Sequence, residues 1–394
     1  MSVVVAVAAP LIAWVYKAPT LTGVMLVCAP VFVLGALGRQ FEVASEKSLQ
    51  FRKLVMIECC AALSGCGAAI IGALLGWHAY SLALAALVNA AVRSLLAFVA
   101  LSDGWRPSVR LRWADVRPYL GFGGATLTSS LVNQVNASID LILGGRLVGL
   151  DALGFYSVPR SFVLSVQNSV NPVVTRVGFP VIAEVQHDRE AVLRAYHSVV
   201  GAVAVVGAPI YAGIAVLSRD ICQNLLGPTW ADASTSLSIL ACWGYFRSLG
   251  NPAGALLLGV GRADVALKWN VALLVVYPTA LWIGSGWGTI GLASSLLVTS
   301  MLLMVPGWRW LVFPYTHWRF AGFAKSTALP AGIAAAAWLC ASAMAGAIEM
   351  PAWRIGATIS VAFAAYLGTV WWFSPGPLTR LKALGLEVLG FDRR

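Results

Sequence analysis

Twelve apolar runs, separated by short polar loops, leave this chain few folds. A run of about 20 apolar residues is one helical crossing of a bilayer. Such helices are expected near 2–16, 21–38, 54–76, 79–101, 119–143, 155–178, 197–217, 234–259, 269–284, 287–305, 326–348 and 353–373. Hydrophobic residues make up 59% of the 394 and charged residues 11%, against about 25% charged in a soluble domain. The expected fold class is therefore an all-α integral membrane protein of about twelve transmembrane helices. The N-terminal MSVVVAVAAPLIAWVYKAP has no basic region before its apolar run, so it reads as a first, short transmembrane helix and not as a signal peptide.

The net charge of +11 does not point to nucleic acid, because the basic residues sit in short loops and are not gathered on one solvated face. Of the 27 Lys and Arg, four fall within helices (Arg93, Arg160, Arg176 and Arg247) and four in the loops after odd-numbered helices (Lys17, Arg146, Arg219 and Arg354). The other nineteen lie in the loops after even-numbered helices or in the tail. That bias predicts even loops and both termini on the cytoplasmic side of a bacterial cytoplasmic membrane. Arg93 and Arg176 lie near expected cytoplasmic helix ends, where they can snorkel.

Seven Cys are present, all but Cys222 inside apolar runs, and no CxxC or Cys/His ligand spacing occurs. Reduced structural thiols are expected, with no disulfide, metal site or cofactor. His78, His187, His197 and His317 are scattered, and no G-x-x-x-x-G-K-[ST] phosphate loop is present. Glu58 stands beside Arg52 and Lys53, which makes it a local charge partner.

Residues 133–180 are the polar exception. Here two expected helices carry Asp140, Arg160, Arg176, two Gln and four Asn. Such groups are costly in hydrocarbon and normally face a bundle interior or a water-filled cavity. Asn133, Asn136 and Asp140 form one stripe on the fifth helix; Arg160, Gln167 and Asn171, spaced by seven and four, form another on the sixth. Both stripes are expected to face a substrate cavity, with Arg160 and Arg247 supplying positive charge. The alternative for Arg160 is a structural pairing with Asp140 or a place near the outer end of its helix. Asp140 and Glu58 are the carboxylate candidates for ion coupling. Gly144, Gly145 and Gly149 suit a tight hairpin between the helices, and Pro159, Pro172, Pro209, Pro252 and Pro278 predict kinks.

Segments 108–120, 179–196 and 379–394 mix apolar and basic residues and read as amphipathic helices on the cytoplasmic membrane surface. An internal repeat is also visible. LGALGR (34–39) resembles LGVGR (258–262), each expected to close a helix, and GWHAYSLALAALV (76–88) resembles GWGTIGLASSLLV (286–298). Helices one to four would then answer to seven to ten, which is a transporter signature. This divides the chain into an incomplete N-terminal lobe of four helices (1–101), a cytoplasmic linker (102–118), a six-helix C-terminal lobe (119–310), and two additional helices with an amphipathic tail (311–394). Helices five and six have no counterpart, so the repeat expects a further pair before Met1.

The run IDLILGGRLVGLDALGFYSVPRSF (139–162), followed by GFPVIAEVQHD, LLGPTWADASTSLSIL and LLLGVGRADVALKWN, with SEKSLQFRKLVMIE in the first lobe, resembles the polysaccharide/O-antigen flippases of the multidrug/oligosaccharidyl-lipid/polysaccharide exporter superfamily. The likeness is to the branch that exports colanic-acid-type repeat units. It implies two six-helix lobes plus a C-terminal helix pair, a transporter and not an enzyme. It also implies an undecaprenyl-pyrophosphate-linked oligosaccharide as substrate, membrane lipid as surroundings, and polysaccharide polymerase and export proteins as candidate partners. Other classes are a membrane polymerase or ligase of the same pathway, a multidrug-type secondary transporter, and a truncated non-transporting remnant. A polymerase would favour a large external loop with clustered catalytic residues, whereas the longest one expected, 218–233, offers only Arg219, Asp220, Asn224 and Asp232. A drug-cation cavity should be acidic, whereas Arg outnumbers carboxylates within these helices.

Overall fold

The computed structural model describes residues 2–47, 51–101, 131–345 and 351–373, with side chains described for all of these except 46, 47, 51, 170–181, 345, 351–354 and 370–373. Among them the regular structure is helical throughout. In chain order the long helices are α1 (Ser2–Val15), α2 (Thr20–Lys47), α3 (Phe51–Leu74), α4 (Ala79–Leu101), α5 (131–147), α6 (Leu150–Glu184), α7 (Arg189–Val216), α8 (Ser234–Gly259), α9 (Ala263–Gly284), α10 (Gly288–Gly307), α11 (Phe320–Ala345) and α12 (Pro351–Phe373). Each expected crossing overlaps one of these helices, the fifth from 131 on, since 119–130 and the expected linker 102–118 lie outside the described residues. Six stretches among the described residues are long and apolar enough to span a membrane, and one of them, Ala263–Thr316, takes in both α9 and α10. Large apolar side chains stand bare on the surface, with Leu74 83% and Trp282 70% exposed, as lipid-facing positions require. The chain is a multi-pass membrane protein.

Several helices outrun their apolar cores. With 28 residues α2 is about 42 Å long, well beyond a hydrocarbon core of about 30 Å. It does not close at Arg39, as LGALGR had suggested, because Gly38 packs against Ser94 of α4 and Phe41 and Glu42 beyond it are buried. LGVGR does end a helix: α8 stops at Gly259, and Gly261 takes φ +72° while the Arg262 N–H bonds the Leu257 carbonyl at 2.7 Å. The second repeat element keeps its geometry better. His78 and Gly288, equivalent in the alignment, both adopt positive φ (45° and 66°) at the α3–α4 and α9–α10 turns.

Segment 179–196 is not a separate surface helix. It finishes α6 and, after a turn, starts α7, where the Asp188 carboxylate accepts from the N–H groups of Glu190 and Ala191 at 2.9 and 3.3 Å. Its apolar face is used inside the protein: Ile182, Val192 and Tyr196 are fully buried in one cluster with Leu256 and Leu257 of α8. Segments 108–120 and 379–394 lie outside the described residues. Loop 218–233 is ordered as short helical turns, Ser218–Asp220, Ile221–Leu226 and Pro228–Ala233.

The helices fall into two compact units, divided between Gly121 and Phe122. In the first, α2 and α3 pack on α4 through small residues. A β-carbon on Gly72 would come 2.8 Å from the Ser81 side chain, and one on Gly38 2.9 Å from Ser94, the close approach typical of membrane helices. In the second unit α6, α7 and α8 enclose a core of Tyr156, Val163, Tyr211, Leu240 and Trp243. Two tyrosines tie the outer helices to it: Tyr245 donates to the Thr327 carbonyl on α11 (2.6 Å) and Tyr366 on α12 to the Val205 carbonyl on α7 (2.8 Å).

Candidate functional site

The α5–α6 hairpin positions most of the polar residues. Gly149 makes the turn at φ +88°, whereas Gly144 lies inside α5, where a β-carbon would meet Leu153 at 2.9 Å. The hairpin lays the Asp140 face of α5 against the Arg160 face of α6. Asp140 and Arg160 are both buried, 2% and 5% exposed. The guanidinium donates to both carboxylate oxygens, through Nε to Oδ2 and through Nη2 to Oδ1 at 2.9 Å, and Nη2 also reaches the Ala137 carbonyl. Tyr156 adds a hydroxyl to Asp140 Oδ2 at 2.6 Å. The two charges cancel within this set of hydrogen bonds. Arg160 is thus spent on Asp140, the structural alternative, and is no open cation on a cavity wall.

Arg247, on α8, has a different environment. Its Nε donates to Gln167 Oε1 at 3.0 Å, and its guanidinium carbon lies 5.2 Å from the Trp243 ring centre. Among the described residues no carboxylate lies within 4 Å of Arg247, and its Nη groups have no hydrogen-bond partner. Gln167 is buried, 4% exposed, so it fixes the Arg from behind. Arg247 lines a cavity of about 560 Å³ together with Asn133, Asn136, Asn251, Asn270 and Tyr277. Asn136 donates to the Asn270 carbonyl at 2.8 Å, while its own Oδ1 is buried with no partner among the described residues.

Of the residues singled out from sequence, Asn133, Asn136 and Arg247 share this cavity, and Gln167 joins through Arg247. Asp140 and Arg160 pair with each other and are not among the residues that line it. The side chain of Asn171 lies outside the described residues. Glu58 belongs to the first unit, and its ionic contact is with Arg93 at 3.9 Å, not with Arg52 or Lys53. Arg93 does not simply snorkel: its Nε lies 2.6 Å from Oε1 of Glu42, which is 5% exposed and is also held by Arg39 at 3.0 Å. Sequence reading missed Glu42 because it fell in an expected loop; the Arg39–Glu42 spacing of three, which suits a helix, was the available signal. Among the described residues no three His, Cys, Asp or Glu side chains gather as a metal site.

The family described as Polysaccharide biosynthesis protein has a sequence model that matches residues 1–235. Lipopolysaccharide biosynthesis protein WzxC of Escherichia coli (strain K12) is 29% identical over 325 residues, 81% of this chain and 65% of that protein. Teichuronic acid biosynthesis protein TuaB of Bacillus subtilis (strain 168) is 27% identical over 331 residues, 84% of this chain and 68% of its own length. The chain thus spans about two thirds of the length of these relatives. Among solved structures, the lipid II flippase MurJ in an inward closed conformation superposes with a TM-score of 0.69 at 14% identity, over 90% of this chain and 74% of MurJ, which shows a shared fold. With residues 1–235 of its 394 matched by the family model, and with relatives aligned over more than four fifths of its length, the chain belongs to the polysaccharide biosynthesis protein family.

Proposed function

We propose that this protein is a flippase, not an enzyme, which moves an undecaprenyl-pyrophosphate-linked oligosaccharide across the bacterial cytoplasmic membrane for lipopolysaccharide, capsule or exopolysaccharide synthesis. The observation that carries this reading is Arg247, a cation with no carboxylate beside it among the described residues, on a polar cavity inside a helical membrane unit. Phosphate oxygens match a guanidinium fork, and a charge-assisted bond of this kind is about twice as strong as a neutral one. Asn133, on the same wall, carries both a donor and an acceptor for sugar hydroxyls. The same cation disfavours efflux of cationic drugs. In this reading Asp140 and Arg160 brace α5 against α6, and the basic even loops keep both termini in the cytoplasm. The lobes run 1–101 and 119–310, the basic stretch 102–118 links them, and 311–394 adds the last helix pair and tail. A polymerase and export proteins take the product onward.

The test is translocation of a fluorescent undecaprenyl-pyrophosphate-linked trisaccharide in proteoliposomes holding the purified chain. Transport that Arg247→Gln reduces by roughly tenfold or more, the worth of one charge-assisted contact, supports the reading. Equal leaflet exchange in protein-free vesicles would overturn it.

A further inference from the structure

A second cavity, of about 420 Å³, lies between α7, α8 and α11, within the size range of about 300–1,000 Å³ typical of ligand sites. Its walls are made by alanines, Ala208, Ala212 and Ala215 on α7 and Ala328, Ala331 and Ala335 on α11. The two helices meet closely at the same level, where a β-carbon on Gly213 would lie 2.5 Å from Trp338. The alanines therefore leave a gap that their own side chains cannot fill. Apart from the weakly polar Cys242 thiol, the gap offers no free polar side chain among the described residues. The hydroxyls on its wall are all engaged: Tyr211 with Ser248 at 2.9 Å, Tyr245 with the Thr327 carbonyl at 2.6 Å, and Thr327 with the Phe323 carbonyl at 3.1 Å. Only hydrocarbon fits such a lining without stranding a polar atom.

The apolar slot adjoins the polar cavity. Phe246, Leu249 and Met304 line both, and Phe246 directly precedes Arg247. An apolar slot thus opens beside Arg247, the arrangement that suits a ligand with an anionic head and a single apolar chain. We infer that the slot takes the first isoprene units of the polyprenyl chain while Arg247 holds the phosphate end. The choice of head group rests on the flippase reading above; the chain-binding role of the slot is separate from it.

Cys242 lines the slot and is exposed to it, so it reports occupancy. The full chain in lipid nanodiscs is treated with N-ethylmaleimide in the presence of farnesyl pyrophosphate or inorganic pyrophosphate. Alkylation is then read peptide by peptide, with exposed Cys59 as internal reference. At ten times its Kd, farnesyl pyrophosphate should slow alkylation of Cys242 about tenfold by simple occupancy and leave Cys59 unchanged, while pyrophosphate alone leaves both unchanged. Burying the prenyl methylenes should also make it roughly 100-fold tighter than pyrophosphate. Ala328→Phe, with Ala335→Phe as a second filling variant, should remove the protection and bring the two affinities together. Unaltered Cys242 alkylation at concentrations that saturate Arg247-dependent binding overturns the slot and leaves the flippase reading intact. Protection of Cys242 that persists in Arg247→Gln with undiminished affinity supports the slot and removes the head-group assignment.

Discussion

Arg160 clasps Asp140 from the neighbouring helix through two guanidinium nitrogens, and Tyr156 completes the set from one turn away on α6. A buried pair of this kind adds little net stability, yet removing one partner strands the other charge, at a cost of about 3–5 kcal/mol. Asp140→Leu and Arg160→Met should each lower the thermal unfolding midpoint of the detergent-solubilised protein by several degrees. The double variant should lose much less than the sum. If the two losses simply added, the pair would not act as the brace described here.

Arg247 should behave in the opposite way. Among the described residues no carboxylate lies beside it, so Arg247→Gln removes an unneutralised, half-buried charge at the cost of one hydrogen bond to Gln167, and folding stability should change by no more than about 1 kcal/mol. Binding of inorganic pyrophosphate, measured by calorimetry, should weaken about tenfold to 100-fold, in line with about 1.5–3 kcal/mol for a hydrogen bond to a charged group. Arg247→Lys should recover part of this, since it restores charge without the planar fork. Equal pyrophosphate affinity in all three proteins would exclude the residue from anion binding.

The contrast between these two arginines marks where sequence stops being informative. Both sit in apolar helices; periodicity placed Arg160 on a polar stripe, whereas Arg247 stood alone in its helix. Which one is neutralised depends on the register across the α5–α6 hairpin, a tertiary fact that a stripe on a single helix does not contain. The helices themselves were legible because a bilayer demands about 20 apolar residues per crossing. Their ends were not: α2, α6 and α7 continue as helix through charged residues such as Glu42, Glu184 and Arg189, where hydropathy falls but tertiary packing still favours helix. For the same reason segment 179–196 looked like a surface element, while its apolar face is covered by α8.

Glu42 supplies a prediction in the first unit. It is buried between Arg39 and Arg93, with Arg93 itself partly open. That pair is worth about 1–2 kcal/mol, between the values for exposed and fully buried pairs. Glu42→Gln should destabilise the protein by about this amount, because two cations lose their shared carboxylate. Lower salt should enlarge the loss through weaker screening of the remaining Arg–Arg repulsion. A melting curve for Glu42→Gln that coincides with wild type at both low and high salt would show that the cluster does not hold α2 to α4.

Gly244 carries the sharpest packing prediction. It sits on α8 where α6 and α7 converge, and a β-carbon there would come 2.5 Å from Val163 and 2.7 Å from the Tyr211 ring. Both neighbours are buried, 0% and 3% exposed, and Tyr211 is further pinned by its bond to Ser248. Neither can retreat freely, so Gly244→Ala should cost about 1–3 kcal/mol as overpacking, despite the gain in helix propensity that Ala brings elsewhere. Val163→Ala opens the space that the new methyl needs, although alone it leaves a small void. The double variant should therefore be more stable than Gly244→Ala alone, a sign reversal that a lost hydrogen bond or altered helix propensity cannot produce. Thermal unfolding of the four proteins in one detergent measures it, and a double variant less stable than either single change would place the clash elsewhere.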